Sequence, residues 1–374
     1  MRIGLDVHVL HGAAQGTSSI WRNLLPALPR DHTYILYSFD PAATRAEFPG
    51  DHFEHQRIPF KQPHLRIEML YPWLARRDRC QVFHVNYFGP LIGAPGLVVS
   101  FPDVLFLDFP ELAPLSRRLG MRYLGGTTAH AARAIVTATE YSKGRIAHHF
   151  RVPPDKITVI HDALDATWTT PGPAVDDSAI IRELPARYVL GVGRLEPRKN
   201  VVLTARITRE LRQAGLTDAL VWVGADDFGT AAIERQLREE GLSELVVRLR
   251  GLTTSQLQAV YRHAQMLLFL SVAEGFGYPP VEAMAIGTPV IAANRTALPE
   301  VLGNGAWLVD PDDARVVADA ARTMLTSPAV REPLIAAGRA RAARLSPAEA
   351  ARHTADLYAR VAYARVARGS GNGA

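Results

Sequence analysis

The sequence has little of what would place the protein outside the cell interior or on nucleic acid. Its 374 residues include a single cysteine, Cys80, so no disulfide can form within the chain and a reducing compartment is the natural setting. No uninterrupted apolar run approaches the ~18 residues that a membrane-spanning helix requires. Zinc-finger and RNA-binding signatures are missing, and 42 Lys and Arg against 37 Asp and Glu leave a net charge of only +5. We therefore predict a cytoplasmic protein whose partner carries phosphate and is not nucleic acid.

The order of apolar and helical stretches predicts a parallel α/β architecture in two domains. Alternation of this kind is typical of parallel sheets with helical crossovers, and the chain is long enough for more than one core. The stretches that we predict as strands are 1–7, 34–39, 81–85, 97–101, 134–139, 157–160, 188–193, 220–224, 246–251, 266–271, 289–293 and 306–310. The Pro- and Gly-rich sequence "TTPGPAVDDS" interrupts this pattern. We expect an N-terminal domain at 1–168, a linker at 169–184, a second domain at 185–345, and a C-terminal helix and tail at 346–374.

One loop of the second half, "GVGRLEPRKN" (191–200), has the composition of a phosphate site. Arg194 and Lys199 lie on either side of a short turn before a helix, whose N–H groups and dipole favour an anion. No Gly-Lys-Ser/Thr follows the glycines, and Glu196 stands where a dinucleotide fingerprint needs its third glycine. Taken alone, the loop is better explained as a glycine turn with two solvated cations.

Two acids lie in the otherwise apolar stretch "SVAEGFGYPPVEAMAIGTPVIAA" (271–293). Pro279 and Pro280 suit the first turn of a helix, and we expect Glu282 to fall in that turn. There it could complement the helix dipole, a contribution of about 0.3–1 kcal/mol. That explanation does not extend to Glu274, which precedes the helix in a glycine-rich loop. Because carboxylates accept hydrogen bonds from sugar hydroxyls, we predict one acid for a ribose and one for a sugar ring.

Glu274 and Glu282 lie eight positions apart in "EGFGYPPVE", which resembles the E-x7-E signature of retaining nucleotide-sugar glycosyltransferases of family four. "GVGRLEPRKN" and "VVRLRGLTTSQLQAVYRHAQMLLFLS" are similar to other segments of that family. In the first half the likeness is weaker but continuous, through "MRIGLDVHVL", "QGTSSIWRNLLPAL" and "VSFPDVLFLDFPE". The resemblance implies the GT-B fold: two Rossmann-like parallel-sheet domains facing a central cleft, with a C-terminal helix that crosses back to the first domain.

The same resemblance implies the chemistry and the residues that carry it. The reaction would be a retaining, metal-independent sugar transfer from a nucleoside diphosphate, with no cofactor, to a glycan, lipid-linked or natural-product hydroxyl. Arg194 and Lys199 would neutralise the departing diphosphate, Glu274 would contact the sugar and Glu282 the ribose. The catalytic set implied is Arg194, Lys199, Glu274 and Asp103. The other donor-binding residues implied are Gly16, Gly193, Leu252, Gly275, Phe276 and Gly277.

One position departs from the family pattern. Many members have His-Asp after a first-domain strand, whereas this chain has Pro102 before Asp103, and proline offers no side-chain donor or acceptor. We expect a donor without the hydroxyl that the histidine contacts, a 6-deoxy sugar; an impaired or repurposed transferase is the alternative. A GT-B epimerase or hydrolase and a non-catalytic sugar-nucleotide-binding subunit are the other functions that the sequence leaves open.

Two basic segments of the first half carry aromatic residues: "LRIEMLYPWLARRDR" and "LSRRLGMRYL". Such segments can dock on the inner face of an anionic membrane, which would suit a lipid-linked acceptor. A solvated basic face is the simpler interpretation. Peripheral membrane contact is therefore the second of two predictions for these segments.

Overall fold

The computed structural model describes residues 1–11, 16–169 and 178–369. Two compact units divide the chain. The first comprises residues 1–163 and the chain from Leu345 onward, and the second comprises Leu164–Arg344, each as far as the structure describes them. No helix in these described ranges combines the length and the apolar character that a membrane crossing requires.

The first unit contains a seven-stranded parallel sheet in the order β3-β2-β1-β4-β5-β6-β7. Its strands are β1 Arg2–Asp6, β2 Thr33–Ser38, β3 Phe53–Arg57, β4 Val82–Asn86, β5 Leu97–Ser100, β6 Ala134–Thr137 and β7 Ile157–Val159. Its α-helices are α1 Gly16–Leu24, α2 Pro41–Glu47, α3 Tyr71–Arg77, α4 Leu105–Asp108, α5 Leu115–Gly120, α6 Gly126–Ala131, α7 Glu140–Phe150 and, after the second unit, α17 Pro347–Gly369. Two π-helical stretches extend these helices: Leu65–Leu70 runs into α3, and Met121–Gly125 joins α5 to α6. Single 3-10 turns lie at His8–His11, Leu25–Ala27, Pro110–Leu112 and Pro154–Lys156.

Alternate residues of each strand supply the two faces of this sheet, as strand geometry requires. Ile3 and Leu5 face one core, in which α1 and α17 pack. Ile35 and Tyr37 face the other, which contains the inner sides of α3 and α7. The sheet is thus covered by helices on both faces, which is the usual condition of an all-parallel sheet.

The second unit contains a six-stranded parallel sheet in the order β10-β9-β8-β11-β12-β13. Its strands are β8 Tyr188–Val192, β9 Ala219–Val223, β10 Val246–Leu249, β11 Met266–Phe269, β12 Val290–Ala293 and β13 Trp307–Val309. Its α-helices are α8 Ala166–Thr169, α9 Ser178–Arg182, α10 Val201–Gln213, α11 Thr230–Glu239, α12 Thr254–His263, α13 Tyr278–Ile286, α14 Leu298–Leu302, α15 Ala314–Thr326 and α16 Pro328–Ala343. Its 3-10 turns are Pro197–Lys199, Ser243–Leu245 and Gly303–Gly305.

All twelve predicted strands are present, and the predicted α/β fold with two Rossmann-like parallel sheets is confirmed. The sequence analysis missed β3, "FEHQR", because four of its five residues are polar. This strand pairs with β2 alone, so that it lies at the sheet edge, where apolar residues are not required on both faces.

Candidate functional site

The predicted donor residues of the second unit lie at the carboxyl edge of its sheet, on loops and, for Glu282, on the helix that follows one of them. The chain proceeds outward from β8 through β9 to β10, then returns to β11 beside β8 and proceeds to the other edge. The boundary between β8 and β11 is therefore the point where the strand order reverses. In open parallel sheets such a point separates the following loops and leaves a crevice for a ligand.

The loop after β8 is shaped so that Lys199 folds back over its glycine. Gly193 has φ +145°, and a Cβ atom there would lie 2.8 Å from Cε of Lys199. The indole N–H of Trp222 donates to the Gly193 carbonyl at 2.8 Å and fixes the start of the loop. The 3-10 turn Pro197–Lys199 then directs the lysine inward, where 8% of it is exposed. A side chain at position 193 would displace the ammonium group.

Glu274, the first residue of the predicted pair, holds two cations. Its Oε1 accepts from Nζ of Lys199 at 2.7 Å, and its Oε2 accepts from Nη1 of Arg198 at 2.6 Å. Arg198 also donates to the Glu196 carboxylate at 2.6 Å and to the Ala273 carbonyl at 2.7 Å. The loops after β8 and β11 are thus joined by a buried ion cluster that consists of Glu196, Arg198, Lys199 and Glu274. We refer to it as the ion cluster.

Burial and charge act in opposite directions on Glu274. Burial raises the pKa of its carboxyl, but Arg198 and Lys199 outweigh burial and lower that pKa to about 2. Burial lowers the pKa of the Lys199 ammonium, although Glu274 opposes this shift. Each carboxylate oxygen still has a lone pair beyond its ion pair. Glu274 is therefore ionised at neutral pH and can accept a further hydrogen bond from a ligand hydroxyl.

Arg194 lies on the same loop as Lys199 but outside the ion cluster. Its Nη1 pairs with Oδ2 of Asp227 at 2.7 Å, and 48% of its side chain is exposed. An exposed ion pair of this kind contributes little to stability. The guanidinium is accordingly held in place while it remains accessible to an anion.

Glu282 is the fifth residue of α13, so its predicted place in the first turn is wrong. The helix begins at Tyr278, before the two prolines, and Gly277 precedes it with φ +94°. The dipole explanation fails with that placement, since the effect is confined to the first turn. Instead, Oε2 of Glu282 accepts from the Tyr261 hydroxyl at 2.9 Å. Burial raises the pKa of Glu282 to about 7, although this hydrogen bond acts to lower it.

This pKa predicts that donor binding depends on pH. If ribose hydroxyls donate to Glu282, as the sequence predicts, they favour its ionised form, and protonation of Glu282 weakens the binding of that ligand. With a pKa of about 7 in the free protein, we expect a nucleotide sugar to bind roughly tenfold more weakly at pH 6 than at pH 8. Isothermal titration at both pH values measures the difference.

Glu282→Gln is the control for this prediction, because the amide does not titrate in this range. The diphosphate of a nucleotide sugar also keeps its charge between pH 6 and pH 8. The variant should bind with the same affinity at both values. An equal pH dependence in the parent and the variant would contradict the assignment of Glu282 to the ligand.

The other predicted donor residues of the second unit lie at the ends of the same strands. Gly275, Phe276 and Gly277 form the buried loop between β11 and α13. Leu252 lies half-buried between β10 and α12, directly before the Thr253 capping box. All four therefore occupy the carboxyl edge that carries the ion cluster.

Two predicted residues belong to the first unit. Asp103 follows β5, and its Oδ1 accepts from the Leu105 amide at 3.2 Å. Gly16 begins α1, but residues 12–15 of the predicted glycine loop lie outside the described part of the chain. The ion cluster lies wholly within the second unit and contains neither residue.

Sequence reasoning missed three partners at this edge: Arg198, Asp227 and Tyr261. Arg198 could have been noticed, since it adjoins Lys199 in "EPRKN" and a second cation needs a counter-charge. Asp227 lies in the loop after β9 and Tyr261 in α12, and no local pattern connects them with Arg194 or Glu282. Their roles follow from the sheet order.

Comparison with known proteins identifies the family. Residues 178–341 match the model of glycosyl transferases group 1, and residues 14–168 match that of glycosyltransferase family 4. The O-antigen chain mannosyltransferase B of Escherichia coli is 27% identical over 290 residues, which are 76% of this chain and 76% of that protein.

Solved structures agree on the fold. A sucrose-phosphate synthase from Thermosynechococcus elongatus superposes with a TM-score of 0.74 at 20% identity, over 97% of this chain and 99% of that one. Anabaena Alr3699/HepE in complex with UDP-glucose gives a TM-score of 0.74 at 18% identity, over 96% and 100% of the two chains. Together with the two family matches, which adjoin along the sequence, these findings show that the chain belongs to the family-four glycosyltransferases of the GT-B fold.

Proposed function

We propose that the protein is a retaining glycosyltransferase that moves a sugar from a nucleoside diphosphate to an acceptor hydroxyl. The observation that carries the proposal is the ion pair between Lys199 and Glu274. It joins two loops at the point where the strand order reverses, and the same loops carry Arg194 and lead into the helix of Glu282. Cations for a diphosphate and carboxylates for sugar hydroxyls are thus held on neighbouring loops.

Each residue has a role that its surroundings support. The exposed guanidinium of Arg194 binds the diphosphate, and Lys199 adds a second positive charge from a buried position. Such groups accelerate the reaction when they stabilise charge that develops on the leaving group. Glu274 orients Lys199 and accepts from the transferred sugar, while Glu282 accepts from the ribose. Main-chain groups of Leu252 and of Gly275–Gly277 complete the donor site.

We propose a single displacement on one face of the sugar as the route to retention of configuration. The bond between the anomeric carbon and the phosphate oxygen breaks, and the nucleoside diphosphate departs with the electron pair. The acceptor oxygen attacks the same face of the sugar, and its proton passes to an oxygen of the departing phosphate. In this scheme the protein supplies position and charge and requires neither a nucleophilic side chain nor a metal.

We propose a 6-deoxy sugar as the donor group. Pro102 lines a mostly apolar cavity of about 40 Å³ in the first unit, together with Trp21, Leu24 and Val136. A cavity of this size has room for a water molecule or a methyl group. Pro102 itself offers a 6-hydroxyl no side-chain donor or acceptor, which favours the methyl group of a 6-deoxy sugar, although Ser100, His161 and Asp162 also line this cavity.

For the acceptor we propose a hydroxyl of a glycan, of a lipid-linked saccharide or of a natural product. The similar Escherichia coli protein is named for transfer of mannose to an O-antigen chain, which favours a saccharide among these three. The same name favours a 6-hydroxylated donor. A donor panel must therefore contain both sugar types.

A thermal-shift panel tests the donor site. The full chain is heated with nucleotide-linked mannose, glucose and rhamnose and with the matching nucleoside diphosphates. We expect one base and one sugar to raise Tm, because a ligand at 100 times its Kd adds about 2.7 kcal/mol to the free energy of unfolding. The double variant Arg194→Ala/Lys199→Ala should lose the shift. NMR of the product with the acceptor then reports the anomeric configuration.

Each alternative gives a different result. No shift with any compound would remove the donor-site assignment. Turnover of the nucleotide sugar without an acceptor would instead indicate an epimerase or a hydrolase, and binding without turnover would indicate a non-catalytic subunit. A preference for a 6-hydroxylated sugar, together with stronger discrimination against rhamnose in Pro102→His, would overturn the proposal of a 6-deoxy donor. The proposal of a glycosyltransferase would remain.

A further inference from the structure

The exposed apolar side chains of this protein are concentrated on one part of the first unit. Among the described residues, fourteen large hydrophobic side chains are exposed, and nine of them lie in three short segments. These nine are Leu65, Met69, Trp73, Leu91, Ile92, Leu115, Leu119, Tyr123 and Leu124. Scattered exposed apolar residues are ordinary, but a contiguous group of this kind marks an interaction surface.

Two helical segments present the apolar residues in the same arrangement. Leu65, Met69 and Trp73 recur every four residues through the π-helical stretch into α3. Leu115, Leu119 and Tyr123 recur every four residues through α5 into the second π-helical stretch. Residues at this spacing lie on one face of a helix. The opposite sides of both segments are buried: Leu70 and Leu74 in one, and Met121 in the other.

The loop after β4 connects the two helical segments in space. The Leu91 amide donates to the Glu68 carboxylate at 3.2 Å, next to Met69. The Gly89 amide of the same loop donates to the hydroxyl of Thr128, which follows the second segment, at 3.2 Å. Ile92, directly after Leu91, is 84% exposed. The loop after β4 therefore lies beside both helical segments, and we refer to residues 65–77, 91–92 and 115–124 together as the docking face.

The docking face is rich in positive charge. Arg76 and Arg77 follow Trp73 and are exposed, and the Arg77 guanidinium lies over the Trp73 ring at 4.8 Å. Arg117 and Arg122 are exposed in the second segment, and residues 115–124 include no acid. Arg66 differs from these arginines, because it points inward and only 8% of it is exposed. The interpretation of these segments as a solvated basic face does not hold for Arg66. Arginine interleaved with exposed tryptophan, tyrosine and aliphatic residues matches the interface of an anionic bilayer.

We propose that the docking face binds the surface of a membrane that contains anionic lipid. Met69, Trp73, Ile92, Leu119 and Tyr123 enter the headgroup region, and the arginines pair with lipid phosphates. Tryptophan and tyrosine rings favour this depth, where one end meets hydrocarbon and the other meets water. A protein partner would also cover apolar surface, but exposed arginines with Glu68 as the one acid in these segments complement a uniformly negative sheet better than a mixed protein surface.

Vesicle co-sedimentation of the full chain tests this proposal. The vesicles are phosphatidylcholine alone or a mixture of phosphatidylcholine and phosphatidylglycerol. We expect binding to the mixture, and Arg117→Gln/Arg118→Gln/Arg122→Gln should weaken it roughly 100-fold. Met69→Ser/Trp73→Ser/Ile92→Ser should abolish binding to the mixture at moderate salt. Quenching of tryptophan fluorescence by brominated lipid should fall in Trp73→Phe, because Trp21 and Trp222 are buried and the half-buried Trp168 and Trp307 belong to the second unit.

Matched variants of the second unit serve as controls. Arg212→Gln/Arg235→Gln/Arg238→Gln removes the same charge from exposed positions of α10 and α11, and should retain vesicle binding. Phe228→Ser/Val330→Ser removes exposed apolar groups from that unit and should behave likewise. If both arginine triple variants lost vesicle binding equally, the effect would be explained by net charge alone and the proposal would be overturned.

Sedimentation velocity without lipid provides the other contrary outcome. The proposal is wrong if the parent self-associates, the variant Met69→Ser/Trp73→Ser/Ile92→Ser is monomeric, and neither of them binds vesicles. The docking face would then be an interface between copies of the protein. The vesicle assay needs no nucleotide sugar, so its result is independent of the proposed transfer reaction.

Discussion

Replacing Arg194 with alanine is expected to lower kcat for sugar transfer roughly 10²–10³-fold, the usual effect of losing one preorganised donor to a developing negative charge. The free energy of unfolding should change by less than about 1 kcal/mol, because the exposed pair with Asp227 contributes little. Initial rates at saturating donor, with urea unfolding of the same preparation, measure both quantities.

Arg206→Ala is the matched control for this variant. It breaks the ion pair with Glu240, at 2.5 Å, on the exposed side of α10 in the same unit. Its kcat should equal that of the parent. If Arg194→Ala retained more than a tenth of the parent rate, or if the two variants were equally impaired, Arg194 would have no special role in transfer.

Glu274→Ala is expected to lower the free energy of unfolding by about 3–5 kcal/mol, the usual cost of leaving a buried charge without its partner. The variant leaves Lys199 and Arg198 buried beside each other, with Glu196 as the remaining acid of the ion cluster. Urea unfolding at pH 7 measures the loss. Glu240→Ala, which removes an acid paired at the surface, should cost less than about 1 kcal/mol.

The pH dependence identifies the ion cluster as the source of this stability. The pKa of Glu274 is lowered from 4.5 to about 2, so its contribution is present above pH 4.5 and is lost as the pH falls towards 2. The difference between the parent and Glu274→Ala should therefore shrink at pH 3. A difference that stayed constant down to pH 3 would mean that lost packing, and not lost charge, destabilises the variant.

Much of the fold could be predicted because buried parallel strands are locally recognisable. A run such as "MLLFLS" needs apolar residues on both faces, and its length and its flanks separate it from a helix. The edge strand β3 lacks this property, since only Phe53 of its five residues is buried. The helical segments of the docking face carry apolar residues on both sides. Their pattern therefore indicated neither their secondary structure nor which side faces the core.

The sequence predicted which residues belong to the candidate site, but it did not predict which of them pair. Motif spacing identified Lys199 and Glu274, yet both ion pairs of Glu274 depend on β8 and β11 being neighbours, which sequence spacing does not specify. The pKa of Glu282 depends likewise on its burial, which raises that pKa, and on a hydrogen bond from Tyr261, a residue of another helix. A linear motif identifies residue types, whereas burial and partners arise only when the sheet forms.

Helix α17 belongs to the first unit although the whole second unit precedes it in the chain. The Tyr358 hydroxyl lies 2.6 Å from Nδ1 of His84, and Leu357 and Val361 complete the core around Trp21. During synthesis, therefore, the apolar side of α1 emerges from the ribosome more than three hundred residues before the helix that covers it. Domains usually fold in the order in which they are made. In this protein the second unit can therefore finish folding before the last helix of the first unit has been synthesised.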